Sequence, residues 1–167
     1  MARLDSTKAT VEVLTFKDGL LSAVAHDLKL QVGRFTIDAE AEKLTGEFDT
    51  ASLRVIEAMK DGRESPGALS TSMKAEIEKN IVHDVLDARR HPSARFETTV
   101  VTADRVEGAL TLHGVTKAIS GRRADVEGQR VVEFRLDQRD FGIKPYSAML
   151  GTLKIKPEVV VRVSVPA

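Results

Sequence analysis

The chain of 167 residues has the length of one domain, and 25 Lys and Arg set against 25 Asp and Glu leave a formal net charge of zero. There is no cysteine, which excludes disulfides, thiolate zinc sites, iron–sulfur clusters and a nucleophilic thiol, so stability has to come from packing and backbone pairing. Basic residues are scattered, with no run longer than Arg89-Arg90 or Arg122-Arg123, so nucleic-acid binding is not expected.

At the N-terminus, charges at Asp5, Lys8, Glu12 and Lys17 interrupt any apolar stretch before it reaches signal-peptide length. No run approaches the length of a membrane span, so the chain is not expected to be membrane-spanning. As written it is expected to be cytoplasmic, and periplasmic only if a leader has been trimmed. Asp18-Gly19 has the chemistry of a tight hairpin turn and separates two alternating stretches, residues 9–17 and 20–32, which predicts two antiparallel strands. Residues 34–41 alternate cleanly, with Phe35, Ile37, Ala39 and Ala41 on one face, and residues 43–53 repeat the pattern with Leu44, Gly46 and Phe48 in phase.

The turn-rich break at residues 61–67 changes the period. From about 71 to 87, Met73, Ile77, Ile81, Val82, Val85 and Leu86 fall on one helical stripe, with Glu76, Lys79, Asn80, His83 and Asp87 opposite. His91-Pro92 is expected to end this amphipathic helix. Strands are predicted again at 94–102, 105–113, 115–125, 129–139 and 158–165, with a Glu127-Gly128 turn between two of them and a long irregular piece at 140–151. One helix cannot cover the apolar face of eight or nine strands, so the sheet should curl and bury that face against itself as an antiparallel up-and-down β-barrel of about eight strands, the helix inserted mid-chain. Barrels of that size either fill with side chains or hold one small ligand. No Trp, one Tyr and six Phe supply few rings to plug it, which favours an aliphatic cavity.

His26 shares a strand face with Val24, Leu28, Leu30 and Val32, whereas Asp27 points to the other face with Ala25, Lys29 and Gln31. The two neighbours therefore cannot act as a dyad, and Asp27 reads as a surface or strand-end hydrogen-bonding residue. Three readings of His26 stay open: a core histidine satisfied by a backbone carbonyl, a polar handle for the end of an apolar ligand, and a metal ligand. His83 reads as a solvated partner of Asp87 one turn on, His91 as a loop or capping residue, and His113 as a strand end. No HExxH spacing, G-x-S-x-G elbow or phosphate-binding glycine loop is present, so neither catalytic residues nor a metal site are predicted and no cofactor is expected to be required.

The segment GALTLHGVTKAIS, Gly108 to Ser120, resembles the G-x-LT-x-x-GVT-[KR] signature of the YceI-like family. HDVLDARRHPSARFETT, His83 to Thr99, with VAHDLKLQVGRF and Phe141 to Ile143, matches that family in order, so the resemblance spans nearly the whole chain, 1–167, as one domain. It implies a lipocalin-like barrel and non-catalytic binding of a long apolar molecule, typified by an isoprenoid lipid such as a quinone or prenyl chain, for carriage, storage or stress response. It also implies that a barrel edge or mouth could support a homodimer. Val85-Leu86 stands where the family carries an aromatic pair, which implies a cavity of different size. The expected ligand-binding wall is Leu28, Leu30, Phe35, Ile37, Phe48, Phe96, Leu110, Leu112 and Phe134, with His26 as the polar contact. The competing expectations are a solid barrel that binds a protein partner on its outer surface and, behind it, a histidine-dependent metalloenzyme.

Overall fold

Strands form where apolar and polar residues alternate, and they are longest where the alternation is least broken. The computed structural model describes residues 2–19, 26–40, 43–148 and 153–167. Before the helix lie β1 (Ala2–Leu4), β2 (Thr10–Thr15), β3 (Lys17–Asp18), β4 (Asp27–Val32), β5 (Phe35–Glu40), β6 (Lys43–Asp49), β7 (Leu53–Lys60) and β8 (Arg63–Glu64). After it come β9 (Ser93–Val101), β10 (Arg105–Leu112), β11 (Val115–Val126), β12 (Gln129–Asp137), β13 (Ser147–Ala148), β14 (Leu153–Ile155) and β15 (Glu158–Pro166).

A 12-stranded antiparallel sheet runs β1-β5-β6-β9-β10-β11-β12-β15-β2-β4-β7-β8, and β13-β14-β3 form a second, small sheet. Its two ends belong to one bent ribbon. β4 continues into β5 through Gly33, and β6 into β7 through a 3-10 turn at Thr50–Ser52. At this corner Gly33 N donates to Ser52 O (2.9 Å), Arg34 N to Ser52 Oγ (2.9 Å), and Ser52 Oγ to Asp49 O (2.6 Å). Tying both ends of the sheet to one ribbon curls it into a half-barrel with an enclosed face. The strand count is higher than the eight expected, because both ribbon strands break at the corner and short strands are added at the edges.

Registry carries the enclosed face from strand to strand. Gly121 pairs with Phe134, Phe134 with Val161, Val161 with Val13, Val13 with Leu30, and Leu30 with Val55. The alternation of these strands thus puts Phe134, Val13, Leu30 and Val55 on one level of the interior. Glu127-Gly128 forms the expected turn, both residues at positive φ (50° and 78°), as type I′ hairpins require.

Three expectations about the elements are corrected. Asp18-Gly19 does not join β2 to β4 as a two-residue turn: those strands pair with Thr15 opposite Leu28, while Lys17–Asp18 leaves the large sheet to pair with Leu153–Ile155. The predicted residues 20–25 of the second strand, Val24 included, lie outside the described residues, as do Ala41 and residues 149–152 of the late loop. Residues 53–60 form a full strand that was not read from the pattern, because a β-bulge shifts its register: Lys29 pairs with Glu57, but Leu30 with Val55. Within 140–151, the chain forms a 3-10 turn at Gln138–Phe141 and the short β13 rather than remaining irregular throughout.

The helix α1 (Thr71–Asn80) starts where Ser70 Oγ accepts from Met73 N (3.1 Å) and runs on through a π turn at Ile81–Val85. It ends before His91-Pro92, at Asp87, whose φ of 47° takes the chain out of the helix and whose carbonyl accepts from Arg90 N and His91 N. Asp87 consequently does not pair with His83, which is exposed; its carboxylate lies 3.7 Å from Arg90. The helix is fastened to the sheet at the bulge, where Glu78 Oε1 accepts from Val55 N (2.8 Å) and Lys74 reaches Glu57 (3.3 Å). Among the described residues no helix is long and apolar enough to cross a membrane.

Candidate functional site

The barrel is packed at one end and hollow above it. Ala9, Val11, Phe35 and Ile37 are buried together in a closed cluster, backed by Phe48, Val161, Val163 and Val165. Above it lies a cavity of about 480 Å³, walled by strands of the large sheet and covered by the helix through Met73, Ile77, Ile81, Val85 and Leu86. Ile77 and Ile81 pack on the cluster of Leu28, Leu30, Val55, Ala58 and Leu69, and Val85 and Leu86 on the cluster that contains Phe134, Phe141 and Ile143. The helix therefore works as a cover with its own apolar contacts at both ends.

Of the wall residues read from the sequence, Leu28, Leu30, Phe48, Phe96, Leu110, Leu112 and Phe134 border the cavity, together with His26. Phe35 and Ile37 do not: they belong to the closed cluster. Parity placed them correctly inside the barrel but could not say that this level is filled. Val82, expected on the apolar stripe, does not border the cavity, whereas Asn80, expected on the polar face, does. Both follow from the helical spacing itself: Asn80 comes three residues after Ile77 within α1 and shares its face, and Val82 lies off the line of Met73, Ile77 and Ile81, while the π turn at Ile81–Val85 keeps Val85 on that line.

Three of the phenylalanines are held flat by glycines. A Cβ at Gly46 would sit 2.6 Å from the Phe48 ring, one at Gly108 2.5 Å from Phe96, and one at Gly121 2.7 Å from Phe134. Each ring lies over a backbone without a side chain, which leaves the space above it open. Phe96 and Phe134 also meet edge to face with centroids 5.5 Å apart, a preferred geometry that fixes both rings.

The polar lining gathers toward one end. His26 and Leu28 are on the inward face at the start of β4, Thr15 pairs with Leu28 from the end of β2, and Gln138 follows the end of β12. Tyr146 and Lys154, from the segments around β13 and β14, complete this group. His26 is half-buried and Lys154 exposed, so this end is the mouth. Asp27 turns away, as its parity requires, and its Oδ1 accepts from Lys17 N (2.8 Å), holding the small sheet against the mouth. Asp49, on another part of the lining, is neutralised by Arg34 at 2.7 Å.

Sequence reasoning missed Thr15, Gln138 and Tyr146 as parts of this lining. Thr15 continues the inward run Ala9, Val11, Val13, and Gln138 the run Val132, Phe134, Leu136 of the strand predicted at 129–139, so for both the signal was present in their parity; Tyr146 lies in irregular chain, where no period points. The remaining histidines form no ligand set with His26. His91 and His113 meet with ring centroids 4.4 Å apart and planes tilted by 48°, and His113 Nδ1 lies 3.3 Å from Phe141 O. Among the described residues no group of three or more His, Cys, Asp or Glu side chains is placed to hold a metal ion.

A family model described as YceI-like domain matches residues 3–167. The chain is 35% identical over 143 residues to a UPF0312 protein of Pseudomonas putida (strain W619), covering 74% of this chain and 65% of that protein. It is 36% identical over 131 residues to a UPF0312 protein of Pseudomonas syringae pv. syringae (strain B728a), covering 67% and 59%. The chain thus spans less than two thirds of the length of these curated relatives. Among solved structures it is similar to Burkholderia cenocepacia BcnA (TM-score 0.59, 13% identity, 95% and 96% of the two chains covered). It is equally similar to a polyisoprenoid binding domain from Saccharophagus degradans implicated in plant cell wall breakdown (TM-score 0.59, 10% identity, 100% and 99% covered). At these identities the likeness is one of fold.

Proposed function

The chain belongs to the YceI-like family, and we propose that it is a non-catalytic binding protein that encloses one long apolar, isoprenoid-like lipid such as a quinone or prenyl chain. The observation that carries this reading is the hollow above the Phe35 cluster: about 480 Å³, apolar over most of its walls, with His26, Gln138, Tyr146 and Lys154 grouped at its mouth. Its volume lies in the range of about 300–1,000 Å³ typical of small-molecule sites, and its few polar groups sit where they would orient one end of a ligand. A neighbour of the same fold is a polyisoprenoid binding domain, which supports a lipid-binding role in general.

Burying a methylene contributes about 0.8 kcal/mol, so a five-carbon isoprene unit contributes about 3–4 kcal/mol before ordering costs. A micromolar complex needs about 8 kcal/mol. Two or three buried units, less the cost of immobilising the chain, reach that range. The tail would lie against Phe48, Phe96 and Phe134, and the head would remain near His26. Most of the wall is Val, Leu, Ile and Phe, which supports holding an apolar chain over reacting with it. A barrel that acted only through its outer surface would have no use for this void, which removes packing contacts that a filled core would have.

The test is thermal unfolding of delipidated protein with and without added farnesol and a short-chain ubiquinone. A ligand that binds the native state alone must raise the melting temperature in proportion to the logarithm of its excess over Kd. A concentration-dependent rise supports the reading. Unchanged melting with every isoprenoid at saturating concentration would point instead to the outer surface.

A further inference from the structure

Among the described residues, Thr15 is the one inward residue at its level of the wall that carries a hydroxyl. Around it, Leu28 is its cross-strand partner, and Leu136 and Val159 pair with each other at the same end of β12 and β15. It is 9% exposed and borders the cavity, yet its Oγ1 is buried and has no hydrogen-bond partner among the described residues. Buried hydroxyls are rarely left unpaired, and a wall that needed only to be apolar would be served by valine, which has the same shape. A rotation about χ1 to the next staggered position carries the hydroxyl to where the methyl group stood and the methyl to where the hydrogen stood, so the oxygen can be turned without moving the backbone.

We infer that Thr15 is a ligand-binding residue whose hydroxyl hydrogen-bonds a neutral oxygen of the bound lipid, so that the cavity selects an oxygenated isoprenoid, an alcohol or ketone, over the bare hydrocarbon. This rests on the lipid-binding reading of the cavity. Thr15 lies one inward step deeper than His26, since Leu28, its partner, is the next inward residue after His26 on β4. Along a strand such a step is about 7 Å, so the oxygen at Thr15 is carried inside the mouth rather than left at the rim. A charged head is not accommodated there, because Leu28 and its neighbours offer no compensating partner for a buried charge. The hydroxyl both donates and accepts, which suits a ketone acceptor and an alcohol donor alike.

The experiment compares farnesene, farnesol and farnesylacetone on the full chain of wild type, Thr15→Val and Thr15→Ser, by calorimetry, with unfolding of the unliganded proteins measured in parallel. Wild type is expected to bind the alcohol and the ketone about five- to tenfold more tightly than the hydrocarbon, the factor that one net hydrogen bond supplies. Thr15→Val should remove most of that preference by weakening the two oxygenated ligands alone, leaving the share that His26 supplies, Thr15→Ser should retain most of it, and unliganded Thr15→Val should melt no lower than wild type. Equal affinities of wild type for all three ligands, or a loss in Thr15→Val shared by farnesene, would overturn the inference while leaving the lipid-binding reading intact. A lower melting temperature of unliganded Thr15→Val would also overturn it, by showing that the hydroxyl has a structural partner. Failure of wild type to bind any of the three would remove both.

Discussion

Replacing Gly46 by alanine tests whether the space above Phe48 is empty. The new Cβ would lie 2.6 Å from Cζ and 2.8 Å from Cε2 of the Phe48 ring, and the nearest atoms all belong to that one side chain. Carbon atoms are at ease at about 3.5–4.0 Å, so the ring tip has to recede by about 1 Å. Phe48 borders the cavity, and the ring can move into open space rather than into a packed neighbour. Leaving its preferred rotamer costs about 0.5–1.5 kcal/mol, partly offset by about 0.4–1 kcal/mol from the reduced freedom of alanine in the unfolded chain. The net change is expected to stay within about 1 kcal/mol, or a melting-temperature shift of no more than about 4 °C in a chain of this size. In a filled barrel the same substitution overpacks the core and costs a further 1–3 kcal/mol or so. Gly108→Ala is the internal control, since its Cβ would meet the backbone carbonyl of Glu97 as well as the Phe96 ring, and backbone cannot step aside. Thermal unfolding of both variants, with affinities for prenols of increasing length, is the assay. Gly46→Ala should remain near wild type in stability and lose affinity most for the longest chain, while Gly108→Ala is strongly destabilised. Equal, large destabilisation of the two would refute the open space.

Glu78→Ala leaves Val55 N without its acceptor at the bulge, which should cost about 1–3 kcal/mol and speed hydrogen exchange at Val55; Glu78→Gln, which keeps an acceptor, should recover most of the loss, and no change in exchange would contradict the anchoring role. His26→Ala should weaken binding of a head-grouped isoprenoid more than of a hydrocarbon of the same length, measured by calorimetry; equal effects on both would remove the polar-handle role. Burial pushes the Lys29 ammonium down, but the hydrogen bond and charge of Glu12 at 3.1 Å, with the charge of Glu64, outweigh it and hold its pKa above the ordinary lysine value. A raised folded-state pKa gives stability that is fully present below the ordinary lysine pKa and lost as pH rises through the folded value. In urea unfolding, the stability difference between wild type and Lys29→Met should therefore be constant from about pH 7 to 9 and close at higher pH; a difference that widens there would contradict the pairing.

Parity along single strands was enough to read which residues face inward. Val13, Leu28, Leu30, Leu110 and Phe134 all sit where alternation puts them, and Asp27 faces away from His26 for the same reason. Depth along the barrel was not legible, because it depends on which distant strands share a level: Phe35 and Phe48 pair across β5 and β6, yet Phe35 lies in the closed cluster and Phe48 borders the void. The strand at residues 53–60 was hidden by its bulge, which throws Leu53, Val55, Ala58 and Met59 out of a single phase. The Asp18-Gly19 turn was misread because the competing partner of Lys17–Asp18 is residues 153–155, far along the chain, and local turn chemistry carries no information about it. The helix was visible as a stripe, but Asn80 was set opposite it for its polarity although it shares the face of Met73 and Ile77, and Val82 was set on it for its apolarity although it lies off that line.

Native mass spectrometry of the freshly purified chain, followed by organic extraction of anything released, tests the hollow barrel most directly. One apolar molecule per chain, retained in the gas phase, released by solvent and carrying a neutral oxygen, is the expected result. A ligand-free mass that stays unchanged after challenge with quinones and prenols would contradict it and make the histidine of AVAHDLKL a structural residue.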